Sequence, residues 1–203
     1  MKVFISGGCK NGKSYYAQTA AMRCAMRCAM RCAKRCAHIA QGKSSLYYIA
    51  TMRPVDSEDD ERIARHREER SGWGFATVEQ PQNIEEILDK CDLGGSFLLD
   101  STTALLANEM FPPTAPANEK AGEKIIDGLM RVLQKVQNIV IVSDFIYSDA
   151  ILYDRLTEKY RQSLAAIDRR LAKECDVVIE VVYSNIIYHK GGAAHGELFQ
   201  NLP

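Results

Sequence analysis

Short apolar runs alternate with longer amphipathic segments along most of the chain. The runs that predict strands are Val3–Ile5, Leu46–Ala50, Phe97–Asp100, Ile139–Ser143, Val177–Tyr183 and Ile186–His189. The segments that predict helices are Lys13–Ile39, Glu58–Arg70, Ile84–Cys91, one beginning at Thr103, Glu119–Val136 and Arg155–Glu174. Strands that alternate with helices predict a mainly parallel β-sheet covered on both faces.

A phosphate-binding loop follows the first apolar run. It has the form G-x-x-x-x-G-K-S and consists of Gly7, Gly8, Cys9, Lys10, Asn11, Gly12, Lys13 and Ser14. Glycines let successive backbone N–H groups point at phosphate oxygens, and the N-terminus of the helix that begins here adds partial positive charge. In this motif Lys13 would meet the β- and γ-phosphates and Ser14 would ligate Mg²⁺. A strand before and a helix after disfavour a chance match, so we expect an α/β, P-loop (RecA-like) domain with three layers.

Composition favours a single domain that acts on small molecules. The chain has 203 residues, of which 46% are hydrophobic, so residues 1–203 suit one P-loop domain with a substantial core. Its 26 basic and 26 acidic residues cancel, and no net field favours nucleic acid or an anionic membrane. Neither a signal peptide nor an apolar stretch of roughly 20 residues is visible, so we expect a cytoplasmic protein without a membrane span.

The first predicted helix contains a tandem repeat. At about residues 21–37 the chain reads AMRC-AMRC-AMRC-AKRC-A, and four of the seven cysteines lie in it at steps of four residues. A period of four drifts by about 40° per repeat on a helix, so no face stays apolar. Metal binding by the cysteines and anion binding by the arginines are the functional alternatives. We expect instead an expansion that extends the helix into solvent, with reduced thiols, and a flexible tail from about residue 191.

Two carboxylates that end buried strands are candidates for the metal partner of the loop. Asp100 closes the strand Phe97–Asp100, and Asp144 follows the strand Ile139–Ser143. Ligands bind at the carboxyl ends of strands in such sheets, and P-loop proteins hold Mg²⁺ with an acidic strand residue. Asp100 is the stronger candidate and Asp144 the second. The alternative for Asp100 is a cap of the next helix.

A basic helix carries the candidate nucleophile. Arg62, His66 and Arg70 lie at i, i+4 and i+8 and share one helix face. Two guanidinium groups favour the neutral form of the imidazole between them and attract phosphate, which suits a nucleophile that attacks phosphorus. Taken alone, the pattern is more typical of a solvated helix with Glu–Arg pairs.

Several motifs in order resemble the bifunctional adenosylcobinamide kinase and adenosylcobinamide-phosphate guanylyltransferase family of cobalamin biosynthesis. They are the loop Gly7–Ser14, Tyr48-Ile49-Ala50-Thr51, Arg62-Ile63-x-x-His66-Arg67-x-x-Arg70, Thr77-Val78-Glu79 and Leu98-Leu99-Asp100-Ser101. The resemblance extends to about Lys190. The loop alone is unspecific, whereas the Tyr-Ile-Ala-Thr block followed by the histidine helix is specific to this family.

The resemblance implies a two-step reaction. Such enzymes phosphorylate adenosylcobinamide with ATP or GTP, then transfer GMP from GTP onto adenosylcobinamide phosphate through a guanylylated histidine, which by motif is His66. The positions expected around the guanine nucleotide are Ala50, Thr51, Met52, Arg67, Glu68, Glu69, Arg70, Glu79 and Asp100, with Mg²⁺ as cofactor. A homo-oligomer, namely a trimer, is also implied.

The chain departs from the family pattern after Val142. There the family has Asn-Glu-Val-Gly and a Gly-Ile-Val-Pro turn, whereas residues 143–151 contain no glycine. Glycine permits close ligand approach that larger residues do not. Three alternatives therefore stay open: a guanylyltransferase that lacks the kinase step, another P-loop small-molecule kinase, and a GTP-binding regulator without catalysis.

Overall fold

A computed structural model describes residues 1–8, 11–35, 46–54, 61, 63–64, 67–68 and 70–195 of the chain, without the side chains of residues 29–35 and 193–194. Its seven strands form one sheet. They are β1 Lys2–Gly7, β2 Leu46–Ala50, β3 Ala76–Glu79, β4 Ser96–Asp100, β5 Asn138–Val142, β6 Val177–Val182 and β7 Asn185–Lys190. The order across the sheet is β3-β2-β4-β5-β1-β6-β7. All neighbouring strands are parallel except β6 and β7, which confirms the predicted, mainly parallel sheet.

Helices connect the parallel strands. They are α1 Lys13–Arg35, α2 Ile87–Lys90 after a 3-10 turn at Ile84–Glu86, α3 Thr102–Met110, α4 Ala121–Lys135, α5 Arg155–Glu174 and α6 Gly192–His195. Side-chain caps fix where two of them begin. Ser101 Oγ accepts the N–H of Ala104 at 3.3 Å, and Asp154 Oδ1 accepts the N–H of Leu156 at 2.9 Å. Among the helices described, none combines the length and apolar content needed to cross a membrane.

The helices lie on both faces of the sheet, so the three-layer α/β prediction is confirmed. On one face, small residues of α1 pack with Ile5 and Leu98. On the other face, α3, α4 and α5 supply Leu105, Leu129 and Leu164 to a second core. The central strands are apolar on both sides because both sides are covered.

The start of the repeat lies in the core, so this part does not extend into solvent as expected. Cys24 and Ala25 are 3% and 8% exposed, whereas Met26 is 53% exposed. Asn138 Nδ2 donates to Cys28 Sγ at 3.4 Å. The first unit therefore packs on the sheet, and residues 36–37 of the repeat lie outside the described part. The four described cysteines form no disulfide with one another.

Other boundaries differ from the sequence predictions. The strand β3 was not predicted, and the expected helix Ile84–Cys91 is a 3-10 turn followed by four α-helical residues. Of the expected helix Glu58–Arg70, residues 61, 63–64 and 67–68 are helical and several others are not described. Part of the expected tail forms α6, and residues 196–203 lie outside the described range.

Candidate nucleotide site

The carboxyl ends of four strands meet at one edge of the sheet. β5 lies between β1 and β4, with Val142 in register with Ile5 on one side and Asp100 on the other. β2 lies beyond β4, with Ala50 opposite Asp100. The loops after β1, β2, β4 and β5 therefore converge, as expected for the ligand edge of a parallel sheet.

The phosphate loop is anchored to β6. Gly7 has a φ of +154°, and an added Cβ would lie 2.5 Å from the carbonyl oxygen of Val181, so the close approach requires glycine. The Asn11 side-chain amide donates to that same carbonyl group. Asn11 Oδ1 also accepts the N–H of Lys13 at 3.2 Å. Asn11 thereby ties the first turn of α1 to the sheet, although Cys9 and Lys10 are not described.

Lys13 is buried and held by two oxygens. The residue is 6% exposed, and its Nζ donates to the carbonyl oxygen of Gly8 at 2.8 Å and to Asp144 Oδ1 at 2.6 Å. The backbone N–H of Asp144 donates to Thr103 Oγ1 at 2.9 Å, which fixes the carboxylate behind the loop. The carboxylate in contact with Lys13 is thus Asp144, the second candidate. Ser14 follows at the start of α1 and is half-buried.

Asp100, the first candidate, is joined to the basic segment through Tyr48. The Tyr48 hydroxyl donates to Asp100 Oδ2 at 2.9 Å. The guanidinium carbon of Arg70 lies 3.6 Å from the centroid of the Tyr48 ring, and Arg70 is 8% exposed. A cation over an aromatic face is attracted to it, more strongly when the pair is desolvated. Arg70 and Asp100, both expected at the nucleotide, are therefore linked by one side chain.

Thr51 connects two segments at the same edge of the sheet by hydrogen bonds. Its Oγ1 donates to the carbonyl oxygen of Ser101 at 2.8 Å and accepts the N–H of Ser101 at 2.7 Å. Asn108 Nδ2 donates to the carbonyl oxygen of Thr51 at 2.7 Å. These bonds hold the loop after β2 against the start of α3. The neighbours Ala50 and Met52 are half-buried beside it.

A cavity of about 450 Å³ opens beside the basic segment, lined by Arg67, Arg70, Ser71, Gly72, Gly74, Phe75 and Thr77. Arg67 Nη2 lies 2.7 Å from Glu79 Oε1, and both side chains are exposed. Trp73, in the turn beside the cavity, packs edge-on against Tyr15 with ring centroids 6.1 Å apart. The cavity and the phosphate loop are therefore neighbouring features.

Some predicted residues lie outside the description. These are His66, Glu69, Cys9 and Lys10, and Arg62 of the histidine helix is also among them. Glu68 is described and exposed. The structure brings together Arg67 with Glu79, and Arg70 with Asp100 through Tyr48.

Sequence reasoning missed a buried acidic group behind the site. Asp168 is 3% exposed, and its Oδ2 accepts the hydroxyls of Ser143 at 2.9 Å and Tyr147 at 3.0 Å. Its Oδ1 is buried without a hydrogen-bond partner in the described part of the chain. Burial raises the pKa of Asp168 from 3.8 to about 7, although the two hydroxyl donors oppose this. The only sequence clue was its position among the core residues Leu164, Ile167 and Leu171 of α5.

Two comparisons with known proteins identify the family of the chain. The family model for cobinamide kinase / cobinamide phosphate guanyltransferase matches residues 3–186, which is most of the chain. The chain belongs to this family. It is also 24% identical over 194 residues to the bifunctional adenosylcobalamin biosynthesis protein CobU of Escherichia coli (strain K12), covering 90% of this chain and 96% of that protein.

Family membership confirms the predicted class of activity. A member of the cobinamide kinase / guanyltransferase family is a transferase of adenosylcobalamin biosynthesis with cobinamide kinase and guanylyltransferase activity, and its substrates are nucleotides and a cobinamide. All the motifs quoted for the resemblance lie within the matched range.

Proposed function

We propose that this enzyme phosphorylates adenosylcobinamide with ATP or GTP at the phosphate loop, and then guanylylates the product through His66. The observation that most supports the proposal is the buried Lys13, held beside Gly8 and Asp144 at the start of α1. Asp144 offsets the charge of Lys13 in the free protein, and a triphosphate bound by the loop would take up the same ammonium group.

The kinase step needs positioning and charge stabilisation more than covalent chemistry. The acceptor hydroxyl attacks the γ-phosphorus, loses its proton, and the nucleoside diphosphate leaves. Loop N–H groups and Lys13 stabilise the charge on the phosphoryl oxygens. We assign Asp144 the role of holding Lys13 in place before the nucleotide binds.

The transferase step uses the cavity at Arg67 and Arg70. A nitrogen of His66 attacks the α-phosphorus of GTP, a phosphoramidate bond forms, and pyrophosphate leaves. A phosphate oxygen of adenosylcobinamide phosphate then attacks the same phosphorus and releases His66. The guanidinium groups of Arg67 and Arg70 supply positive charge along the basic segment. This charge favours binding of the anionic nucleotide and stabilises the negative charge that develops on its phosphate oxygens.

The donor set at the loop fits Mg²⁺. In the described residues no group of three or more His, Cys, Asp or Glu could hold a metal ion. Mg²⁺ commonly uses one or two carboxylates together with substrate phosphates and water, so a larger cage is not needed. Ser14 and Asp144, the carboxylate that contacts Lys13, would hold the ion, whereas Asp100 lies with Tyr48 and Arg70. Bound Mg²⁺ would neutralise phosphate charge.

Labelled GTP tests the covalent intermediate. The protein is incubated with Mg²⁺ and GTP carrying label at the α-phosphate, in parallel with γ-labelled GTP, and is then denatured in base or in acid. We expect α-label that stays on the protein in base, is lost in acid, and is absent from His66→Ala.

An exposed arginine gives a matched pair of variants. Arg67→Ala removes a cation that lines the cavity, so we expect about tenfold or more loss of retained α-label. Arg155→Ala removes a cation from a similar exposed pair, with Glu119 at 2.6 Å, and should retain the label fully. Equal losses in both variants would contradict the assignment of the cavity.

The alternatives predict different results. A kinase without the histidine mechanism would phosphorylate cobinamide and retain no α-label. A regulator would bind GTP and turn nothing over. An enzyme that has lost the kinase step would retain α-label and use adenosylcobinamide phosphate, but not adenosylcobinamide, as acceptor. Assays with the two acceptors separate these cases.

A further inference from the structure

A second cavity of about 450 Å³ lies in the segment that departs from the family pattern. Its lining includes Phe145, Ser148, Asp149, Tyr153, Tyr160 and Arg161. The first four come from the irregular segment between β5 and α5, and the last two come from α5. Nothing in the nucleotide chemistry above uses this cavity.

Hydrogen bonds fix the cavity next to the phosphate loop. The backbone N–H of Phe145 donates to the carbonyl oxygen of Gly7 at 3.0 Å. The Tyr160 hydroxyl donates to the carbonyl oxygen of Thr103 at 2.9 Å, and the Thr103 hydroxyl accepts the N–H of Asp144. The cavity lining therefore begins one residue after the carboxylate that contacts Lys13. A molecule held there would lie beside the transferred phosphate.

The polar groups of the cavity suit an uncharged ligand. Arg161 is 8% exposed, and its guanidinium contacts Asp149 at 2.8 Å and Glu158 at 2.6 Å. Two carboxylates offset its positive charge, so the cavity does not attract an anion strongly. Its Nε is buried with no hydrogen-bond partner in the described residues. An orphaned buried donor of this kind is stabilised by a carbonyl oxygen from a ligand.

Apolar surface surrounds these polar groups. Phe145 and Tyr153 are 40% and 39% exposed, and Ile151 and Leu152, which lie between these two residues in the chain, are 59% and 95% exposed. Tyr153 also donates to Asp149 Oδ2 at 3.0 Å and lies under the Arg161 guanidinium, 4.7 Å from ring centroid to Cζ. Exposed apolar side chains concentrated beside a polar cavity mark a binding site.

We propose that this cavity binds an amide-bearing edge of the corrin ring of cobinamide and so directs its alcohol arm toward the phosphate at Lys13. The inference rests on the proposed function. A corrin ring is broad and apolar and carries neutral carboxamide arms, which match aromatic rings, a charge-compensated arginine and a hydroxyl group. A cavity of about 450 Å³ can hold only part of a corrin ring. The rest of the ring lies outside it, on Ile151 and Leu152.

Cobinamide itself is the probe, in the absence of nucleotide. Equilibrium dialysis against the full-length protein follows the absorbance of the corrin. We expect Phe145→Ala and Tyr153→Ala each to weaken cobinamide binding by about fivefold or more. Ile187→Ala, at a 45% exposed residue of the distant strand β7, should leave it unchanged. All three variants should bind GTP normally, because none lies in the nucleotide site.

A charge variant separates a neutral ligand from an anion. Asp149→Asn removes one of the two carboxylates at Arg161 and should weaken cobinamide binding, since the amide arms lose an acceptor. If instead it tightens cobinamide phosphate and leaves cobinamide unchanged, the cavity recognises phosphate and the proposal is overturned.

Two outcomes distinguish a wrong assignment of the cavity from a wrong function of the enzyme. Unchanged cobinamide binding in both aromatic variants of an enzyme that phosphorylates cobinamide and retains α-label overturns this inference alone. A wild-type protein that neither binds cobinamide nor retains α-label overturns the proposed function, and the inference with it.

Discussion

Gly7 is the loop residue at which a side chain would be least tolerated. In Gly7→Ala the new Cβ would meet backbone, the carbonyl oxygen of Val181, at 2.5 Å, and the φ of +154° is unusual for a residue with a side chain. We expect the free energy of unfolding, measured in urea, to fall by about 1–3 kcal/mol. Gly8→Ala is the control, because its Cβ would meet nothing within 4 Å, and it should change by less than about 0.5 kcal/mol. Similar losses in both variants would contradict this account.

Asp168 makes stability depend on pH in an unusual direction. Burial raises the pKa of this carboxyl to about 7 in the folded protein, above its ordinary value of 3.8. Below about pH 4 both states are protonated. Between about pH 4 and 7 the unfolded chain ionises while the folded protein keeps the proton, so rising pH favours unfolding by at most about 1.4 kcal/mol per unit. Above about pH 7 the penalty stays constant.

The variant Asp168→Asn isolates this effect from other groups. The asparagine oxygen can still accept the hydroxyls of Ser143 and Tyr147. We expect the unfolding free energy of the wild type, relative to the variant, to fall as pH rises from 5 to 7 and then to level off. Urea unfolding across that range measures it. A difference that does not vary with pH would show that Asp168 does not titrate there.

At the scale of elements, helix α1 approaches the sheet closely because its inner face is made of small residues. On this face, Ala17, Ala20 and Ala21 are fully buried and pack against apolar side chains of the strands. Ala20→Leu would overfill this layer, and we expect the free energy of unfolding to fall by about 1–3 kcal/mol. Met26→Leu, at a side chain that is 53% exposed on the same helix, should be close to neutral. Chemical denaturation compares the two, and an unaffected Ala20→Leu would mean that the layer can yield.

The apolar pattern predicted the central elements and the edge strand β7, and failed at the other edge, at β3. β4 and β5 are continuous buried runs, which is typical of inner parallel strands. β3 reads Ala-Thr-Val-Glu, has only Val78 half-buried, and pairs with β2 alone, so its sequence carries little periodicity. From sequence, Asp100 was preferred over Asp144 as the carboxylate at the phosphate loop, and strand order explains why Asp144 lies there. β5 pairs directly with β1, which leads into the loop, whereas β4 does not. No local sequence pattern reveals this order.

At the scale of the whole molecule, the residues of the candidate site form two groups along one edge of the sheet. One group follows β1 and β5 and contains the Lys13–Asp144 pair and the second cavity, at Phe145 and Tyr153. The other group lies around β2 and β4 and contains Arg67, Arg70 and Asp100. Tyr15 and Trp73 connect them. On the proposed function, a nucleotide on the loop would have the proposed corrin site on one side and the cavity at Arg67 and Arg70 on the other.

The resemblance to the cobinamide family predicts a homotrimer. The exposed surface at Ile151 and Leu152 could serve either the contact between subunits or the binding of the corrin ring, and one variant distinguishes the two. Light scattering after size exclusion should give about three times the chain mass of 22.7 kDa. Because we assign Ile151 and Leu152 to the corrin ring, Leu152→Ser, at a 95% exposed side chain, should weaken cobinamide binding without changing the mass. A fall to the monomer mass in Leu152→Ser would instead assign this surface to the contact between subunits. A wild-type mass of a monomer would contradict the trimer while leaving the cavity assignment intact, since every residue in its described lining comes from one chain.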